Sequence, residues 1–183
     1  MPSRIAVITT SYPKDEADAS GHFVQAEVSR LTSAGAHVEV FVPRGPAFGW
    51  PGVAARIRQH PARALGVPVA LAKISKAFRA ADPFERTIAH FAIPSAFPLA
   101  LSARHRGALE IVSHGGDVRL LVALPRAIRR AAVGAMVERA EIWRFPSESL
   151  GCELAASLDE GARRALERIA RVVPPAFDMP DIT

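Results

Sequence analysis

The sequence predicts an α/β fold built on a mainly parallel sheet. Three observations carry this expectation. The chain opens on Arg4-Ile5-Ala6-Val7-Ile8-Thr9-Thr10, an apolar, β-branched run without strict alternation, as in a strand buried on both faces. A second run, His37-Val38-Glu39-Val40-Phe41-Val42, follows after one amphipathic helix, which makes a β-α-β unit. Short apolar runs then recur, separated by longer segments, at Thr87–Phe91, Leu109–Ser113, Glu141–Phe145 and Val172-Val173.

The connecting elements follow from composition and punctuation. A polar loop, Ser11 to Ser20, leads to Gly21, which opens a helix with Phe23, Val24, Ala26, Val28 and Leu31 as its apolar stripe. Gly35 is placed to end it. Residues 43–52 are rich in proline and glycine and predict a loop. Residues 53–80 predict helix, interrupted near Pro61 and Gly66-Val67-Pro68. A helix is expected from about Ser95 to Arg106, ended by Gly107, and another from about Arg126 to Arg139. Ser147 supplies an N-cap for a further helix, and a short basic helix follows the turn at Leu158 to Gly161.

Composition narrows the class. A chain of 183 residues, 49% hydrophobic and 22% charged, is long enough to bury a core without disulfides or metals. Its one cysteine, Cys152, excludes an internal disulfide framework and a Cys-rich zinc site, and fits a small apolar position on a helix. No signal-peptide pattern and no run of about 18 uncharged apolar residues occurs. The net charge of +5 is localised: residues 51–110 carry nine basic and three acidic side chains, and residues 111–183 carry ten of each. Arg56, Arg58, Arg63, Lys73, Lys76 and Arg79 interleave with apolar residues, and Lys73, Lys76 and Arg79 fall at helical spacings. That pattern predicts either a solvated helix face or attachment to an anionic membrane surface. Nucleic acid is a poor partner, because aromatics for base stacking are scarce in this segment.

Three places fit a binding site, and each also fits ordinary structure. Gly21 and His22 stand where the first loop enters a helix, and a glycine there leaves backbone N–H groups open to an anion. No G-x-G-x-x-G fingerprint accompanies them. His114-Gly115-Gly116-Asp117 follows a strand directly, combining backbone freedom with groups able to read hydroxyls or move a proton. An H-G-G turn also serves esterases, but their G-x-S-x-G elbow is missing from the sequence. His90 closes the third strand and is placed to line the same edge.

Taken in order, these segments resemble the retaining glycosyltransferases of family 4, which have two facing Rossmann-like domains (the GT-B architecture). Ser11-Tyr12-Pro13 and Gly21-His22-Phe23-Val24-Gln25-Ala26-Glu27 are similar to the family's opening. Ile88 to Pro94 resembles its His-x-x-x-x-Pro region, and Ser113 to Asp117 its Thr/Ser-His-Gly-x-Asp loop. Phe145 to Leu150 falls where members have a serine-containing strand end. Val172 to Asp178 resembles the segment leading to the second domain, with Pro175-Ala176-Phe177 in place of Asn-Gly-Val.

The resemblance implies that residues 1–173 form an acceptor-side domain and 174–183 the start of a linker. The donor-binding C-terminal domain would lie in a continuation or a partner chain. It implies transfer of a sugar from a nucleotide-sugar to a sugar or lipid-linked acceptor. No resident cofactor or catalytic metal is expected. His114 would contact the transferred sugar, with Gly21, His22, His90, Gly115, Gly116 and Asp117 around the cleft. The expected location is the cytoplasm, peripheral on the inner membrane face. The alternative is a non-catalytic α/β module that docks on a partner chain.

Overall fold

The computed structural model describes residues 3–15, 18, 20–49, 52–102 and 107–174. Strands β1 (Arg4–Ile8), β2 (His37–Phe41), β3 (Arg86–His90), β4 (Ala108–Val112), β5 (Ala140–Phe145) and β6 (Ala170–Val172) form one sheet. Its order is β2-β1-β3-β4-β5-β6, and every neighbouring pair is parallel. This is a Rossmann-like α/β domain, as the apolar runs predict.

Both faces of the central strands are covered, which explains their continuous apolar character. On one face, Ile5, Val7 and Ile88 pack with Val24, Val28 and Leu31 of α1 (His22–Ser33). On the other, Ala6, Ile8 and Phe41 meet Phe78, Leu71 and Ile74 of α3 (Val67–Ala80), which follows α2 (Val53–Gln59) and a 3-10 turn at Pro61–Gly66. The same face continues over β4 and β5. There Leu109, Ile111, Trp143 and Phe145 bury against α4 (Gly116–Ala123), α5 (Arg126–Arg139), α6 (Glu148–Ala156) and α7 (Glu160–Ile169). Each large side chain removed from water here contributes roughly 1.5–3 kcal/mol, so the stability of the domain centres on the middle of the sheet.

Local signals set the helix ends. After α1 the Gly35 N–H donates to Thr32 O at 2.9 Å and the Ala36 N–H to Leu31 O at 3.1 Å, the paired bonds of a Schellman motif. Gly35 supplies the left-handed residue, with φ 88°. Ser147 caps α6 by accepting from the Leu150 N–H, and Asp159 caps α7 by accepting from the Ala162 N–H. Cys152 lies exposed on α6.

Two expectations are corrected. The helix predicted from Ser95 to Arg106 is not regular: Ala92–Leu99 is a kinked segment with non-helical Ile93 and Phe97, followed by a 3-10 turn at Ala100–Ser102. Pro98 inside this stretch has no N–H to give and its ring crowds the preceding turn, so a regular ladder cannot form. Residues 103–106 lie outside the described residues. Conversely, α4 forms directly after the His114 turn, where only a loop motif was expected. The linker resemblance from Pro175 onward also falls outside the described residues.

Candidate functional site

The strand order reverses between β1 and β3, since the chain runs one way to β2 and the other way to β6. In open parallel sheets a crevice forms at such a point, outside the carboxyl ends of the strands. His90 is the last residue of β3, one step beyond the Ile8–Ala89 pairing of these strands. Ser113 and His114 leave β4 beside it.

The His114 turn is built by Asp117. This buried carboxylate in the first turn of α4 accepts from the His114 N–H at 2.9 Å and from the Ala92 N–H at 2.7 Å. One side chain thereby ties the segment after β3 to the turn after β4. Gly115 adopts φ 99°, which disfavours any other residue. Phe91 has φ 74°, an unusual conformation for a bulky residue. It is held there by its N–H bond to Val112 O at 2.8 Å and by the Ala92–Asp117 bond next to it. The Trp143 indole donates to Ser113 Oγ at 2.9 Å and anchors the turn from below.

The His114 ring sits among aromatic rings. Its centroid is 4.3 Å from Phe23, 4.8 Å from Phe91 and 5.3 Å from His90. Phe23 is 44% exposed, so it forms a partly solvent-facing wall beside a half-buried imidazole. Behind it, His90 Nδ1 is 3.1 Å from His114 Nε2, and His90 Nε2 is 3.3 Å from Glu27 Oε2.

Glu27 begins a charged belt on the α1 face of the sheet. Arg144 donates to Glu27 Oε1 at 2.6 Å, and its Nε pairs with Glu110. Glu110, only 4% exposed, also receives Arg86. On this face β4 and β5 present Glu110 and Arg144, where the opposite face presents Leu109, Ile111 and Trp143. Burial, reinforced by His114 and Arg144, holds the His90 imidazole well below its usual pKa. His114 is lowered to about 4, chiefly by burial, against the opposing pull of Asp117 and Glu27. Near neutral pH the site thus presents two uncharged imidazoles.

Gly21 has φ 71°, and a Cβ there would lie 2.3 Å from Ser11 O. Its small size therefore serves the close passage of the Ser11-Tyr12 backbone. His22 is exposed and its Nε2 is 2.7 Å from Asp18 O, while the next residue, Phe23, reaches His114. Gly116 begins α4 with open space where a Cβ would stand. Arg58, Lys73, Lys76 and Arg79 are exposed and Arg63 is half-buried. Arg56 is corrected: it is half-buried and donates to Phe48 O at 3.0 Å, holding the loop after β2 instead of joining an exposed basic face.

Glu27, Phe23, Arg144 and Glu110 were not singled out as site residues. A signal for two of them exists, since Glu110 and Arg144 interrupt otherwise apolar parallel strands. Among the described residues no group of three or more His, Cys, Asp or Glu side chains is arranged to hold a metal. No family model matches the chain, and no curated protein matches it.

Proposed function

We propose that this chain is the acceptor-side domain of a retaining glycosyltransferase, transferring a sugar from a nucleotide-sugar to an acceptor hydroxyl in cell-envelope or exopolysaccharide synthesis. The observation that carries this reading is His114: a half-buried imidazole at the carboxyl edge of the sheet, fixed by Asp117 and walled by the partly exposed Phe23. An aromatic face beside a polar ring suits a sugar, which offers both C–H surfaces and hydroxyls. Gly115, Gly116 and Asp117 keep the turn open and rigid, and His90 supports it from behind. The donor would be gripped mainly by a second Rossmann-like domain, so this domain alone is expected to be inactive.

The test combines the chain with a candidate donor-binding half and supplies nucleotide-sugars and acceptors. Transfer is expected with the anomeric configuration of the donor kept, read by NMR of the product. An inverted product would overturn the reading.

Attachment to a membrane surface fits the same role. Among the described residues no helix is long and apolar enough to cross a membrane. The outer side of residues 61–80 nevertheless exposes Leu65 (81%) and Val69 (57%) beside Lys73 and Lys76, while Ala70 and Phe78 are buried inward. Apolar tips among basic side chains suit an anionic interface, where each cation contributes on the order of 1 kcal/mol. In cosedimentation the chain is expected to bind anionic vesicles and to leave neutral ones in solution. The Lys73→Glu, Lys76→Glu variant is expected to lose the difference, and equal binding to both vesicle types would contradict the attachment.

A further inference from the structure

We infer that Glu27 and His90 act as positioning residues that fix the tautomer of His114, leaving His114 Nδ1 as a hydrogen-bond acceptor for a ligand hydroxyl. The inference concerns the two imidazoles and stands whether or not the hydroxyl belongs to a sugar.

The supply of donors sets where each proton sits. A carboxylate only accepts, and a neutral imidazole has one N–H and one bare nitrogen. Glu27 Oε1 is taken by Arg144 at 2.6 Å, while Oε2 faces His90 Nε2 at 3.3 Å. The 3.3 Å approach falls outside hydrogen-bond geometry, but at a ring that is 1% exposed a carboxylate so close attracts an N–H and repels a bare lone pair. His90 Nε2 therefore carries the proton and Nδ1 is bare. Since Nδ1 lies 3.1 Å from His114 Nε2, the latter must donate. His114 then has a bare Nδ1, for which the described residues provide no hydrogen-bond donor. Asp117 does not set this order: its oxygens accept from the Ala92 and His114 backbone N–H groups, and no hydrogen bond joins it to the His114 ring.

Burial keeps the relay uncharged, helped by Arg144 and opposed at His114 by Asp117 and Glu27. Glu27 and Arg30 face it from α1, Arg144 from β5 and Asp117 from α4, with Glu110 and Arg86 extending the belt behind Arg144. With burial dominant, both rings hold a single proton at neutral pH. A bare Nδ1 accepts from a hydroxyl and repels a phosphate or carboxylate oxygen. At this position the site therefore favours a neutral hydroxyl over an anionic oxygen.

The tautomers can be read directly by long-range 1H–15N correlation of the imidazole nitrogens in the labelled full chain at pH 7. Both His90 and His114 are expected in the Nε2–H form. Glu27→Gln is expected to reverse both. Arg144 can only donate, so it retains the amide oxygen and leaves the NH2 facing His90 Nε2. That nitrogen must then accept, and His114 becomes the Nδ1–H form. An Nδ1–H form of either ring in the wild type overturns the inference, as does an unchanged His114 in a folded Glu27→Gln variant. Should the variant not fold, the wild-type spectrum still decides. No donor, acceptor or second domain is needed, so a failed transfer assay leaves this result intact.

Discussion

Replacing Arg144 by leucine is expected to destabilise the domain by about 3–5 kcal/mol, the range for breaking a buried ion pair from one side. Arg144 joins two carboxylates, Glu27 on α1 and Glu110 on β4, and the side chains of all three are at most 15% exposed. Removing the guanidinium leaves two acidic groups close together in a poorly solvated place, with Arg86 reaching only Glu110. A loss of that size is a large share of the 5–15 kcal/mol by which domains are typically stable. Urea unfolding of the variant against the wild type checks it. The double variant Glu110→Leu, Arg144→Leu is expected to lose less than the sum of the two single losses, because both single changes remove the same Glu110–Arg144 contact. A single-variant loss below about 1 kcal/mol would place Arg144 with ordinary surface ion pairs.

The belt also shows where sequence patterning stops being informative. The parallel sheet was legible because its central strands are covered on both faces, so Ile5 to Ile8 and Leu109 to Ile111 read as apolar runs. Helix ends were legible where one residue does the capping, as at Gly35 and Ser147. The kink at Ala92–Leu99 was not, because composition suggested helix while Pro98 breaks the ladder from inside. Strand ends and glycine turns marked His90 and His114 as candidates. Their connection to Glu27 was hidden, because it joins α1 to β3 and the β4 turn across the sheet edge and has no spacing in sequence. Gly21 is the opposite case: the residue type is conspicuous in sequence, whereas the Ser11 carbonyl that requires it is visible only in the fold.

The second large effect belongs to His114. If its ring receives the sugar hydroxyl, removing it strips the cleft of a fixed acceptor while Asp117, Gly115 and Phe91 still hold the turn. Losing one preorganised polar contact of this kind costs about 10²–10³ in rate, whereas the loss of a half-buried ring on the edge of the core leaves the sheet intact. Activity and stability are thus expected to separate at His114, and to fall together at Arg144. The decisive measurement is sugar transfer by the chain combined with its donor-binding half, comparing wild type with His114→Ala at matched folded concentration. At least a hundredfold loss of transfer is expected in a variant that remains folded. Transfer at the wild-type rate by folded His114→Ala would contradict it.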